Sequence, residues 1–512
     1  MEDHKKNRRW VLLFAAAIAS GCGLASELLL GTLASYLVGN TALSYGIATG
    51  GFLAAMGLGS YLSRFIASDG PTLLKVFVLV ELAIAPATAL LPLGLYATFA
   101  VDGLVWLALI LATLILGTLA GLEIPLLTRL LEQEEDLKDA LAGVLALDYL
   151  GALIGSLTMP LILLPWLGML GAASAIALLP ALMVVALSRL FPDLRSWGWI
   201  GLVLAALFAA GIPLVNWVGD RLESTLYDAP VITRQQSPYQ RLVLTRQNQD
   251  LRLYLDNELQ FSTLDEYRYH EALVHPALSL LASDRPQQPW RILLLGAGDG
   301  MALREVLKWP QVQQVLLIDL DAAVVNLAQH HPFLRRTNGD AFADHRVQVR
   351  YGDAFVAIQD LTDAYDAIIA DFPDPDRPEL AKLYSRTLYH HIRHHLNPGG
   401  VFVTQASSPF FASKAFTCIA KTIASIGLSP LPYQVTVPSF GPWGFILTTT
   451  QPLPATWTLP ITTRFLTADI LPTLFILPRD YGYNLDDPTI QINTLIEPAI
   501  VDYQNDWHWS LY

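Results

Sequence analysis

Two regimes of hydrophobic patterning divide the chain. Between residues 10 and 217 the apolar positions run in long blocks, and seven segments stand out: 10–37, 42–62, 73–95, 103–127, 141–164, 167–187 and 197–217. A helix needs about 20 mainly apolar residues to cross a bilayer, so the pattern predicts an all-α multi-span membrane domain of about seven helices. The fifth and sixth segments are separated by little more than Pro165 and Trp166. The first segment is followed at once by others and is longer than a signal's usual apolar run of ~7–15 residues, so it reads as an anchor.

After Trp217 the period shortens. Alternation over 241–247 and 250–262, joined through Asn248, Gln249 and Asp250, predicts a small β module, and 265–281 has helical spacing despite Pro276. Short apolar runs then recur at 291–295, 315–320, 347–351, 367–370 and 400–404, separated by amphipathic stretches. This is the signature of a doubly wound, Rossmann-like sheet, whose ligands bind at the carboxyl ends of the strands. A helix is expected over 380–396, stopped by Asn397-Pro398-Gly399-Gly400, and a closing strand over 444–449. The Pro- and aromatic-rich stretch 451–512 is expected to fold over the preceding domain as a tail. The expected domains are therefore 1–217 in the membrane, 218–285 as β module and linking helix, 286–450 as the Rossmann-like domain, and 451–512 as the tail.

Composition sharpens this division. Apolar residues make up 53% of the 512 positions and charged residues only 15%. From Asp220 onward there are 22 Lys and Arg against 31 Asp and Glu, a net −9, which argues against nucleic acid and suits a cationic ligand. Cys22 and Cys418 are too far apart in sequence and context to form a disulfide framework or a zinc spacing.

Lys and Arg cluster at residues 5–9, at Arg64 and Lys75, at Arg129 and Lys138, and at Arg189 and Arg195. The positive-inside rule makes those loops cytoplasmic. Seven full crossings would then carry residues 218–512 to the other side, in conflict with the cytoplasmic location expected of a domain that uses an intracellular nucleoside. A re-entrant third segment, with Glu81, Pro86 and Pro92, would reverse this but would misplace Arg189 and Arg195. Glu27, Glu81, Glu123 and Asp148 lie within the apolar segments without basic partners there. Such groups read either as a cation or proton site or as protonated acids tying helices together.

The turn Gly296-Ala297-Gly298-Asp299-Gly300 departs from the dinucleotide fingerprint, because its third glycine would fall at Met301. Asp299 also puts a negative charge where a pyrophosphate would lie, so a cationic nucleoside suits the turn better. Asp319, at the end of the second strand, is placed for ribose hydroxyls, and Asp353, after the third, for an adenine amino group. Asp371 and Asp374 lie three residues apart on a proline-stiffened loop, able to face one amine or simply to cap backbone N–H groups. His390, His391, His394 and His395 have metal-compatible spacing, but the chain offers no accompanying acid motif, and an exposed helix face is expected.

These motifs, together with Ser237-Pro238-Tyr239-Gln240, the run from Leu253 to Glu271, LIDLD, YGDA and YDAIIADFPDP, resemble the polyamine aminopropyltransferase (spermidine synthase) family over about 237–445. The whole chain resembles the family's membrane-bound bacterial form. The resemblance implies transfer of the aminopropyl group of decarboxylated S-adenosylmethionine to a diamine, typically putrescine, giving spermidine and methylthioadenosine. The nucleoside is thus a co-substrate, and no prosthetic group or metal is expected.

Carried over by matching positions, the resemblance implies that Gln240, Asp319, Asp353 and Ala354 hold the nucleoside on the glycine turn of Gly296, Gly298 and Gly300. Asp299 and His270 would bind the aminopropyl end, and Tyr269, Asp371 and Asp374 the reacting amine. An amine of pKa near 10.4 is only about one part in a thousand neutral at pH 7, a cost of roughly 4–5 kcal/mol, so a base is needed, and Asp371 is assigned that role. GAGDG replaces the family's usual GGGDG, His270 stands where many soluble members have Gln, and Phe440 lies near where they often place Tyr. These departures leave the acceptor diamine open. The alternatives are a methyltransferase on the same fold, or a polyamine transporter or sensor regulated by the soluble domain. The expected partners are the small-molecule substrates, membrane lipid and further copies of the chain as a homodimer or larger assembly.

Overall fold

The computed structural model describes residues 2–38, 41–67, 69–99, 104–133, 136–227, 229–449, 453 and 457–505, with the backbone alone at 2–7, 38, 41–43 and 214–226. The side chains of Lys5 and Lys6, the start of the 103–127 segment, and parts of the 451–512 stretch lie outside the described residues. The chain divides into two compact units, Met1–Val231 and Ile232–Tyr512.

The first unit is all-helical: α1 (Glu2–Val38), α2 (Thr41–Leu62), α3 (Gly70–Phe99), α4 (Val105–Glu132), α5 (Leu137–Thr158), α6 (Leu164–Leu190) and α7 (Arg195–Leu226). Small residues set the spacing of the helices. A Cβ on Gly151 or Gly155 of α5 would come within 2.0 and 2.1 Å of the carbonyl oxygens of Ala17 and Gly21 on α1, so only glycine permits that approach.

Among the described residues five helical stretches are long and apolar enough to cross a membrane. One of these stretches, Leu137–Leu190, is 54 residues long and is kinked within. The expected break at Pro165 and Trp166 lies inside it. A five-residue π turn at Met159–Leu163 leads into α6, and the chain reverses its dihedrals at Gly168, where φ is +67°, a value that costs glycine little. Glu27, Glu81 and Glu123 are buried in this unit, and the Glu81 and Glu123 carboxyl groups lie within hydrogen-bonding reach of one another.

In the second unit a four-stranded sheet comes first, in the order β1 (Val231–Gln236), β2 (Arg241–Gln247), β3 (Asp250–Leu255), β4 (Glu258–Ser262). Next comes α8 (Glu266–Asp284), whose side chains from Tyr269 to Leu281 are buried against the main sheet. That sheet is built from β5 (Trp290–Gly296), α9 (Met301–Leu307), β6 (Val312–Asp319), α10 (Ala322–His330), β7 (Val347–Tyr351), β8 (Tyr365–Asp371), α11 (Arg386–His394), β9 (Leu396–Gln405), α12 (Ser413–Ala424), β10 (Pro430–Val437) and β11 (Gly441–Thr448).

The strand order is β10-β11-β9-β8-β5-β6-β7. β9, β8, β5, β6 and β7 run parallel, and β10 and β11 are antiparallel. The order reverses between β5 and β8, which leaves a crevice at their carboxyl ends.

Two local expectations change. The helix expected over 380–396 is broken at Ser385, whose hydroxyl caps α11 by accepting the Leu388 N–H. Asn397-Pro398-Gly399-Gly400, expected as a helix stop, lies within β9, beside an irregularity in its pairing with β8. His390 and His394 are exposed on α11, whereas His395 is buried, its Nδ1 2.9 Å from the Asp363 carbonyl.

Among the described residues, the segment after β11 adds no strand to the sheet. Its Leu466, Leu471 and Leu474 enter the core beside α8, and the buried Glu271 carboxylate accepts the N–H groups of Arg464, Phe465 and Leu466 at 2.6, 2.9 and 2.8 Å.

Candidate active site

Each parallel strand delivers one polar group to the crevice, because each ends where its side chains leave the sheet. β5 ends in the glycine turn. Gly296 has φ +81° and pairs with Asp371 across the sheet; a Cβ there would come within 2.1 Å of the Asp371 carbonyl oxygen. A Cβ on Gly298 would come within 2.4 Å of Asp319 Oδ2. Gly300, also at φ +81°, opens α9, and Asp299 Oδ1 accepts the Met301 N–H at 2.8 Å. The glycines therefore let the turn close onto the acids of the two neighbouring strands.

Asp319 at the end of β6 accepts the Asp321 N–H at 2.9 Å, and burial together with nearby Asp321 and Asp299 pushes its carboxyl up to about 6. Asp353, after β7, caps the following turn through the Phe355 N–H, and its other oxygen pairs with Lys382. Ala354 is buried beside it. Gln240 donates from Nε2 to Asp321 Oδ2 at 3.1 Å, and Ser237 Oγ donates to the same oxygen at 2.6 Å. The loop before β2 is thereby tied to the end of β6.

A hydrogen-bonded pair joins the end of β8 to α8. Tyr269, from the first turns of α8, donates its hydroxyl to Asp371 Oδ1 at 2.6 Å. Burial raises the Asp371 carboxyl to about 6, against the opposing pull of His270 and the Tyr269 hydrogen bond. The Tyr269 phenol is pushed well above its ordinary range by burial and by Asp371, so it stays protonated and donates.

His270 is buried, and its Nδ1 lies 2.9 Å from Glu266 Oε2 and 2.8 Å from the Glu266 carbonyl oxygen. Burial opposes a charge there, but the Glu266 hydrogen bond and the fields of Asp299 and Asp371 prevail and lift the imidazole to about 9. It is an imidazolium at neutral pH, with Nδ1–H donating. Glu266 in turn receives both Nη groups of Arg304, each at 2.9 Å.

Asp374 takes three donors: Gln405 Nε2 on Oδ1 at 3.2 Å, and Ser407 Oγ and Gln504 Nε2 on Oδ2 at 3.1 and 2.9 Å. Burial still raises it to about 6. Phe440, Trp443 and Phe445 surround Tyr269 at ring-centroid distances of 6.4, 6.4 and 5.2 Å. The Phe440 loop is fastened to the start of α8, since Ser439 donates from N and Oγ to Asp265 at 2.7 and 2.9 Å.

The structure thus brings Tyr269, His270, Gly296, Gly298, Gly300, Asp299, Asp319, Asp371 and Asp374 to the strand ends. Gln240 reaches them through Asp321, and Asp353 and Ala354 border them from β7. Sequence reasoning missed Glu266, Gln405, Ser407 and Gln504. Glu266 was findable, because it precedes His270 by four residues on one helix face. Gln504 had no local signal. Asp319, Asp371 and Asp374, with carboxyls near 6 and so mainly ionised at neutral pH, outnumber the one imidazolium and make a pocket suited to positively charged ligands.

Residues 266–458 match the Spermine/spermidine synthase domain. The chain is 39% identical over 521 residues to a polyamine aminopropyltransferase 2 of Ralstonia nicotianae, covering 98% of this chain and 99% of that protein. It is 36% identical over 503 residues to a polyamine aminopropyltransferase of Leptospira interrogans, covering 98% of each. A solved spermidine synthase from Thermotoga maritima superposes with a TM-score of 0.45 at 24% identity, over 50% of this chain and 87% of the other.

Proposed function

The chain belongs to the spermine/spermidine synthase family, the polyamine aminopropyltransferases, and from that premise we propose how its residues carry out the transfer. The reaction moves the aminopropyl group of decarboxylated S-adenosylmethionine to a diamine and forms spermidine. Family membership removes the methyltransferase alternative.

The observation that carries the mechanism is the Tyr269–Asp371 hydrogen bond beside Asp374. The acceptor nitrogen attacks the aminopropyl carbon bonded to sulfur, the C–S bond breaks, and methylthioadenosine leaves with the bonding pair. The proton shed by the nitrogen passes to Asp371. With its carboxyl near pH 6, Asp371 is mainly ionised at neutral pH and a better base than an ordinary Asp. Tyr269 fixes the carboxylate and the wall of the amine site, and Asp374 holds the acceptor as a cation. Asp319 and Asp353 take the ribose and adenine, with Gln240 and Ala354 beside them. Asp299 takes the aminopropyl ammonium. Orientation then does much of the remaining work, because the sulfonium already activates the carbon.

The test is methylthioadenosine release by the purified full-length protein supplied with decarboxylated S-adenosylmethionine and putrescine. Asp371→Asn abolishes it if the assignment holds; an unchanged rate in that variant overturns Asp371 as base.

We further propose that the helical unit anchors the enzyme in a membrane, which its five long apolar helices support, and that the catalytic unit faces the cytoplasm, where its nucleoside co-substrate is made. Protease accessibility of the catalytic unit in sealed inside-out vesicles tests this. Protection in those vesicles, with cleavage in intact cells whose outer envelope has been removed, overturns it.

A further inference from the structure

The last described turn of the chain reaches the acceptor site. A short helix, Ile500–Gln504, follows a segment clamped onto the catalytic unit: Ile500 is fully buried, and Asn493 Nδ2 donates to the Ala381 carbonyl at 2.8 Å while the Asn493 carbonyl accepts the Arg386 N–H at 2.9 Å. This fixes Gln504, only 6% exposed, against Asp374.

The amide orientation is set by its neighbours. Nε2 donates to Asp374 Oδ2 and to Ser407 Oγ, each at 2.9 Å, and the flipped amide would set oxygen against carboxylate. Gln504 Oε1 is then buried and meets no donor among the described residues. An orphaned buried carbonyl is costly, of a size with a lost hydrogen bond, and calls for a partner.

An ammonium group is such a partner. A carboxylate offers about four lone-pair positions. Three at Asp374 are taken, two of them on Oδ2, so the remaining position lies on Oδ1. An ammonium has three N–H donors, and one carboxylate position cannot satisfy it. We propose that Gln504 is a specificity-determining residue for the acceptor: it orients Asp374 and offers Oε1 as the second acceptor for the ammonium held there. The proposal rests on the aminopropyl-transfer reading and adds that the C-terminal segment completes the diamine subsite. A residue delivered from the far end of the chain then sets how far from Asp371 the second amine is held, and so which diamine length is accepted.

The experiment compares full-length wild type with Gln504→Ala, the volume-conserving Gln504→Met, and Asn505→Ala. Asn505→Ala removes a hydrogen bond of this segment to the Asp376 carbonyl without touching Asp374. KM for putrescine, KM for decarboxylated S-adenosylmethionine, and the putrescine-to-cadaverine ratio of kcat/KM are measured. Both Gln504 variants are expected to raise the putrescine KM about tenfold, as befits one hydrogen bond to a charged group. They should leave the donor KM within twofold and lower the diamine ratio at least threefold; Asn505→Ala should do none of these. A putrescine KM unchanged in Gln504→Met, equal rises in both KM values, or the same effect from Asn505→Ala overturns the proposal. Absence of methylthioadenosine from wild type would instead overturn the reading beneath it.

Discussion

The hydroxyl of Tyr269 donates to Asp371 Oδ1 at 2.6 Å, joining the start of α8 to the end of β8. This bond holds one carboxylate oxygen in place and leaves the other for the role of base proposed for Asp371. The acid limb of kcat follows from it. A base works only when ionised, so turnover rises with pH through a value near 6 and levels above it. Asp371→Asn should lower kcat by about 10²–10⁴, with the donor still bound. Stopped-time methylthioadenosine assays from pH 5 to 8.5 check both.

His270 tunes that limb. Its imidazolium favours the ionised form of Asp371, so His270→Gln removes a positive charge and raises the Asp371 pKa. The acid limb of the His270→Gln profile should move to higher pH by about half a unit or more. An unmoved limb would show that the two groups do not communicate.

The pocket costs stability. Asp319 and Asp371 have folded pKa values near 6, above the value near 3.9 of an unfolded Asp, so the folded protein binds more protons between about pH 4 and 6. Their contribution is therefore most favourable below about pH 4 and is lost as pH rises through 6. Asp319→Asn and Asp371→Asn should each raise the melting temperature of the catalytic unit at pH 7.5. Roughly 1 kcal/mol is expected after discounting for partial exposure, and the gain should shrink at pH 4.5. Paired thermal melts at the two pH values decide it.

Glu266 is the keystone beneath the pocket: it accepts both Nη groups of Arg304 at 2.9 Å and the Nδ1–H of His270 at 2.9 Å. Glu266→Ala strands a largely buried guanidinium and a buried imidazolium and should destabilise the unit by about 3 kcal/mol. Denaturant unfolding of the variant measures this.

Gly298→Ala forces a methyl group into the space of Asp319 Oδ2, 2.4 Å from the Cβ position. The carboxylate must swing off the position proposed to hold the ribose, so the donor KM should rise at least tenfold while the acceptor KM stays near its wild-type value. Equal effects on both would place Asp319 elsewhere in the reaction.

By itself the sequence determined the division into an apolar helical half and a Rossmann-like half, because hydrophobic period is a local property and survives without tertiary contacts. It also located the glycine turn and the acids Asp319, Asp353, Asp371 and Asp374, since strand ends fall where apolar runs stop. Only the tertiary structure decided that the 54-residue stretch Leu137–Leu190 turns at Gly168 rather than at Pro165, because the turn depends on one residue's dihedral and not on composition. Likewise, only folding brought Gln504 to Asp374, 130 residues away, and set Glu266 beneath His270 with Arg304. Charge, burial and hydrogen-bond satisfaction at those positions arise from neighbours distant in the chain, and no window of sequence contains them.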